Sequence, residues 1–202
     1  MKRLSLAVVF SLLLAPCARG AQADDRQPLR LTAEVVGRRY CAGAGANILQ
    51  LSVRLRYRNE GPVKLYVYRG KNLFYQTRVR AEGEKPYEVV VTNSRYNDAE
   101  AEVIDAPRPP AAFRALRPGG TFETVITVGL GVVPEGAPRA ANAVRPGRHT
   151  LQVVTSSWYE SRRLGEELRE RWRGSGLLWI EPIAAPPVAF EAGGEAPAAR
   201  CL

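Results

Sequence analysis

The sequence predicts an all-β domain, an antiparallel β-sandwich of about eight or nine strands with one surface helix inserted near residues 159–173. Three observations carry that prediction. Ile48 to Arg58 alternates apolar and polar residues without a break, the signature of a strand with one buried face. Turns bearing Gly and Pro recur between short β-rich runs. A single late segment changes to apolar residues at helical spacing.

The chain opens on Met1-Lys2-Arg3, a short apolar run from Leu4 to Leu14, and Ala21-Gln22-Ala23 before Asp24. A basic start, an apolar stretch and an A-x-A site read as a secretory signal peptide over residues 1–23. The apolar run is shorter than the ~20 residues needed to span a bilayer, and no transmembrane segment is expected. The expected location is exported, periplasmic or extracellular. Leu14-Ala15-Pro16-Cys17 also resembles a lipobox, which would leave the protein lipid-anchored through Cys17; Pro16, where such motifs want a small residue, argues for discard. Residues 24–28 read as a linker, 29–190 as the sandwich and 191–202 as a flexible C-terminal tail.

Within the domain, Leu29 to Val36 is the first strand, with Leu29, Leu31, Ala33 and Val35 on one face. Ile48 to Arg58 follows, with Leu49, Leu51, Val53, Leu55 and Tyr57 inward and Arg54, Arg56 and Arg58 outward. Asn59-Glu60-Gly61-Pro62 is a turn, and Val63 to Tyr68 resumes the alternation with Val63, Leu65 and Val67 inward. Phe74 to Arg80 and Tyr87 to Thr92 are the next strands. Asn93 to Ala112 is polar and then proline-rich, a long loop. Phe113 to Leu116 leads into Arg117-Pro118-Gly119-Gly120, then a long strand over Phe122 to Val133, where Gly129 and Gly131 suggest a bulge. Arg145-Pro146-Gly147 introduces Arg148 to Ser156. Each Arg-Pro-Gly suits a turn, because Pro presets φ and Gly supplies a positive φ after it. From Tyr159 to Arg173, Leu164, Leu168 and Trp172 form one narrow apolar stripe, Glu167 and Arg171 form an i,i+4 pair, and Gly174-Ser175-Gly176 ends the helix. Leu177 to Ile180 and Val188 to Phe190 close the strand series. Pattern alone leaves a barrel as the alternative to a sandwich.

The formal net charge is +9, falling to +6 once residues 1–23 are removed. Arg supplies most of the basic residues; with abundant Ala, Gly and Pro this fits solubility and a GC-rich genome better than a dedicated anion surface. The sharper reading is attraction to an anionic envelope polymer or an acidic protein. Export and dispersed charge disfavour nucleic acid. Removal of the signal leaves Cys41 and Cys201, a possible disulfide in an oxidising compartment, or two incidental cysteines with one in a mobile tail.

No catalytic constellation is evident, and no cofactor or metal is expected. His149, the single histidine, begins a strand and reads as a partly exposed strand-end residue. One histidine and two distant cysteines give no zinc spacing. Asp98, Glu100, Glu102 and Asp105 match no calcium loop and read as a solvated acidic stretch flanked by Arg95 and Arg108. Glu166, Glu167 and Glu170 sit among arginines on the helix as an ion-paired face. If Val63 to Tyr68 is the hairpin partner of Ile48 to Arg58, Arg56 lies opposite Tyr66 and Arg54 opposite Tyr68. Arg54, Arg56, Arg58, Tyr66 and Tyr68 are then a possible binding face, or simply a wet stabilising one. Trp158-Tyr159, Trp172 and Trp179 form a second aromatic group that could stack sugars; Trp172 and Trp179 are read instead as fixing the helix onto the sandwich.

The order of Asn59-Glu60-Gly61-Pro62, Leu116-x-Pro118-Gly119 before a long strand, and Pro146-Gly147 before His149-Thr150-Leu151-Gln152-Val153 resembles secreted bacterial immunoglobulin-like domains. Over roughly Leu49 to Val154 it resembles the BsuPI-type proteinase-inhibitor domain and envelope proteins of the same build. The resemblance is one of fold, carried by turns. It implies an immunoglobulin-like sandwich, and inhibition of a proteinase as one activity; the helix and Leu178-Trp179 depart from the inhibitor pattern. The expectation is a non-enzymatic exported interaction module, with a proteinase inhibitor or a carbohydrate-binding accessory domain as alternatives.

Overall fold

The computed structural model describes residues 27–43, 47–69, 74–82, 86–93, 101–134, 136–156 and 161–193. The described chain is mostly β, in three sheets. The first sheet runs β1 (Leu29–Ala42), β2 (Asn47–Asn59), β7 (Thr121–Val132) and β8 (Ala143–Val144). The second is built on β9 (Gly147–Ser156), which pairs β4 (Phe74–Ala81) on one side. On its other side β9 takes β11 (Pro182–Ala184) and β12 (Val188–Ala192) in tandem, and β5 (Glu88–Asn93) pairs the free side of β4. The third holds β3 (Leu65–Tyr68) between β6 (Phe113–Leu116) and β10 (Leu177–Leu178). The described strands form no closed barrel. There are twelve of them; β8 and β11 are too short to show a pattern in the sequence, and β1 runs past Val36 to Ala42.

The first two sheets face each other across one core. Leu49, Leu51, Val53, Leu55 and Tyr57 of β2 are all fully buried against Val79 of β4, Val89 of β5 and Leu151 and Val153 of β9. Two hydrogen bonds cross this core. The Tyr57 hydroxyl donates to Thr155 Oγ1 at 3.1 Å, and the Tyr75 hydroxyl to Thr127 O at 3.0 Å. A fully buried phenol needs a partner, and these two bonds meet that need while fixing one sheet against the other.

Two local expectations give way. Gly129 and Gly131 make no bulge: β2 and β7 pair without a shift from Asn47↔Val132 to Arg58↔Thr121. The irregularity lies in β1, where Val35 pairs Val53 and Gly37 pairs Ser52, leaving Val36 as the extra residue. The Asn93–Ala112 loop contains a short helix α1 (Ala101–Asp105) whose Val103 is fully buried.

Residues Val63 to Tyr68 do not form a hairpin with β2. Val63 is 48% exposed and outside the strand. Leu65 and Val67 enter the main core, while Tyr66 and Tyr68 turn to a second cluster of Val103, Phe113, Leu168, Trp172, Leu178 and Ile180. The same alternation runs from Leu177 to Ile180, with Trp179 in the main core and Leu178 and Ile180 in the second. The third sheet is therefore apolar on both faces, since helices cover the side away from the main core.

Helix α2 (Arg162–Trp172) provides that cover. Ser161 caps it, accepting from the Leu164 N–H, and Leu168 and Trp172 are buried with Leu164 packed beside them. Its surface ion pairs include Arg162–Glu166, Arg163–Glu167 and Glu170–Arg173. Arg171 instead donates to Ile104 O, and the Trp172 indole to Ala106 O at 2.9 Å, joining α2 to α1 and the segment after it. The chain leaves the helix through Gly176 at φ 148°, where a Cβ would stand 2.7 Å from Lys64 O. The Arg117–Gly120 turn forms as expected, with Gly120 N–H on Arg117 O at 2.7 Å and Gly119 at φ 74°.

Candidate functional site

The side chains of β1, β2 and β7 that point away from the core form an open face. Their register sets them in rows: Glu34–Arg54–Val125, Thr32–Arg56–Glu123 and Arg30–Arg58–Thr121. Arg54 Nη1 lies 3.1 Å from Glu34 Oε2 and Arg54 Nε 3.9 Å from Glu123 Oε2. Arg56 Nε donates to Glu123 Oε1 at 2.6 Å. The last row places two arginines directly opposite one another. Arg30 reaches Glu60 at 3.5 Å, and Arg58 has no ion pair among the described residues. Arg30, Thr32, Arg56, Arg58 and Glu60 line a shallow hollow of about 280 Å³ there.

The structure thus brings Arg54, Arg56 and Arg58 together as expected but separates them from Tyr66 and Tyr68. Tyr66 pairs Ala115 and Leu178, and Tyr68, 1% exposed, sits against the Phe113 ring at 5.5 Å. The cross-strand neighbours of the arginines are instead Thr32, Glu34, Glu123 and Arg30. Alternation in β1 already points Arg30, Thr32 and Glu34 outward; the missing information was which strand lies beside β2.

His149 is a buried residue, 2% exposed, and not a partly exposed strand end. Its ring stacks on Phe190 with centroids 5.4 Å apart. Gly147 O, 2.9 Å from Nδ1, can only accept, so Nδ1 carries the proton. Nε2 then accepts from the Tyr87 hydroxyl at 3.0 Å, and that oxygen accepts the Arg145 N–H at 2.7 Å. Burial pushes the imidazole pKa down; the Gly147 bond and the Glu82 charge oppose this, and the net shift is downward. With both ring nitrogens engaged, the neutral imidazole is a structural hub where β9, β12 and the Arg145 segment meet.

Arg169 ties α2 to the end of β10. Its Nε donates to Leu178 O at 3.0 Å, and Nη2 to Glu181 Oε1 and Oε2 at 2.9 and 2.8 Å. Burial alone would raise the Glu181 carboxyl, but the Arg169 bonds and charge, with the Ile180 N–H, outweigh it and hold it below its usual range. Beside this strut, Val63, Lys64, Arg173, Gly176 and Leu177 border a groove of about 670 Å³.

Trp172 and Trp179 are 1% and 4% exposed, so neither offers a face to a sugar; Trp158 lies outside the described residues. Asp98 and Glu100 also lie outside them, Glu102 and Asp105 fall on α1, and no metal-holding cluster occurs among the described residues. Cys41 is fully buried and disulfide-bonded. Cys17 and Cys201 lie outside the described residues, as do residues 1–26, where the signal peptide and the start of the linker are expected. β12 carries Glu191 and Ala192, so the domain extends two residues into the expected tail. At its end the Gly193 N–H donates to the Tyr40 hydroxyl, next to Cys41.

No helix of the described residues is long and apolar enough to cross a membrane. No family model matches the chain, and no curated protein does. Among solved structures it is similar to a Northeast Structural Genomics Consortium target, SoR45, at 8% identity and a TM-score of 0.37, covering 82% of this chain and 86% of that one. It is also similar to a crystal structure of a candidate ApaA protein from Bordetella pertussis, at 13% identity and a TM-score of 0.35, covering 84% and 98%.

Proposed function

We propose that this chain is an exported, non-enzymatic interaction module on an immunoglobulin-like β-sandwich, and that the outward face of β1, β2 and β7 is its contact surface for an acidic partner. The observation that carries this reading is the Arg30–Arg58 row. Like charges directly opposite in an antiparallel pair destabilise it, and most of that face avoids the problem by alternating Arg with Glu. The row where it does not is exposed and bordered by a hollow. The amino-terminal residues 1–23 support export. An acidic protein or an anionic envelope polymer fits a surface of that sign.

Retention on an immobilised polyanion tests the reading. Replacing Arg54, Arg56 and Arg58 by Ser should release the protein at markedly lower salt than replacing Arg78, Arg80 and Arg148, which removes equal charge from the other sheet. Equal losses from the two variants would reduce the effect to net charge and sink the proposal.

A further inference from the structure

We infer that the Arg30–Arg56–Arg58 end of this face binds a single tetrahedral oxyanion, a phosphate- or sulfate-type group; the inference rests on the face being the contact surface and names what it takes there. Arg54 and Arg56 each contact a carboxylate, with Glu123 shared between them. One row further, Arg30 and Arg58 stand opposite each other with only Glu60 in reach, 3.5 Å from Arg30, and Thr121 on the far side of Arg58. Among the Arg54, Arg56 and Arg58 rows, the deficit of negative charge therefore falls at the Arg30–Arg58 end.

The hollow of about 280 Å³ at that end is lined by Arg30, Arg56, Arg58 and Thr32, with Glu60 as its one carboxylate. Guanidinium forks present paired N–H donors that match the oxygens of phosphate and sulfate, and a hydroxyl adds a further donor. An extended polyanion running along β2 is disfavoured by the same geometry. Beyond the first group it would meet Glu123 and Glu34, which already occupy the Arg56 and Arg54 rows. One charged group fits, and a second along the strand is repelled.

The group could be free phosphate or the phosphate of a lipid headgroup, and two arms distinguish these sources. In the first, inorganic phosphate is titrated into the full chain at constant ionic strength while the arginine Nε–Hε resonances are followed. The expected result is saturable shifts at Arg30, Arg56 and Arg58, with Arg78 and Arg80 unmoved. In the second, co-sedimentation with phosphatidylglycerol vesicles is compared with phosphatidylcholine vesicles. Localised shifts without vesicle binding identify the free ion; vesicle binding that depends on Arg58 identifies the headgroup.

Arg58→Glu should weaken whichever interaction is seen at least tenfold while leaving the melting temperature unchanged or raised, because the new carboxylate faces Arg30. Arg78→Gln, on the other sheet, should bind like the wild type. Small uniform shifts across all exposed arginines, or wild-type binding by Arg58→Glu, overturn the inference. If neither phosphate nor vesicles bind while polyanion retention still depends on this face, the contact surface stands and the oxyanion site falls.

Discussion

Removing one oxygen atom from the core should measure how strongly the two main sheets are locked together. Tyr57→Phe keeps the ring, its stacking on Phe122 at 5.9 Å and the packing volume, and deletes only the hydroxyl that donates to Thr155 Oγ1 at 3.1 Å. Both residues are fully buried, so water cannot replace the lost partner. A net hydrogen bond contributes about 1 kcal/mol, and a buried group left unpaired costs about 1–3 kcal/mol, which puts the expected loss at about 1–2 kcal/mol. For a domain of this size that lowers the melting temperature by about 3–6 °C. Thr155→Val should cost a similar amount, and the double variant should recover about 1 kcal/mol of coupling in urea titrations. The phenol gives a second readout. Burial raises its pKa to about 12, against the smaller lowering effect of the Thr155 bond. Its folded pKa lies above the unfolded value of 10, so its contribution is fully present below pH 10 and disappears as pH rises through 12. That amounts to about 2–3 kcal/mol of alkaline destabilisation. Tyr57→Phe should flatten the stability curve in that window. Additive single variants, or a Tyr57→Phe protein as stable as wild type at neutral pH, would refute the inter-sheet role.

Asn59→Ala should be among the most damaging single changes, about 2–4 kcal/mol by urea unfolding, because the amide donates to Val63 O and Leu116 O and accepts from the Gly61 N–H in a fully buried corner. A loss under 1 kcal/mol would mean that corner is held by the backbone alone. His149 should titrate below its ordinary 6.5; its contribution is then present above pH 6.5 and lost as pH falls through the lower folded value. NMR titration of the ring showing a pKa at or above 6.5 would contradict the neutral hub. Non-reducing peptide mapping should join Cys41 to Cys201, since the Gly193 N–H is bonded to the Tyr40 hydroxyl beside Cys41. Closing a loop of about 160 residues bounds the stabilisation near 5 kcal/mol, with 2–4 kcal/mol the usual yield on Cys201→Ser. A Cys41–Cys17 link would instead require the amino-terminal segment to remain.

Wherever a strand has one wet face, its identity was legible from composition. β2 and β9 show the period of two, and Gly119 adopts the positive φ that the Arg-Pro-Gly turn demands. Leu168 and Trp172 are buried as the helical stripe implied. The errors cluster where that rule fails. Tyr66 and Tyr68 sit at outward positions for a one-sided strand, yet helices α1 and α2 cover that side and make it a second core. Asn59, a turn residue by composition, is a buried clamp because three segments converge on its amide.

Alternation and turn chemistry were thus sufficient for the β-rich character, the inward residues of β2, the helix around Leu164 to Trp172, and the outward set Arg54, Arg56 and Arg58. These depend on neighbours a few residues away, which the linear chain records. Strand partners depend on residues far apart, and a hairpin after Asn59 satisfied the local pattern as well as the observed crossover to β6 did. Only the assembled sheets put Arg30 opposite Arg58, buried His149 against Phe190 and Tyr87, and replaced the expected Arg–Tyr contacts by Arg–Glu pairs. Charge complementarity across strands is a property of register, and register here is set by the core that β1, β2 and β7 share.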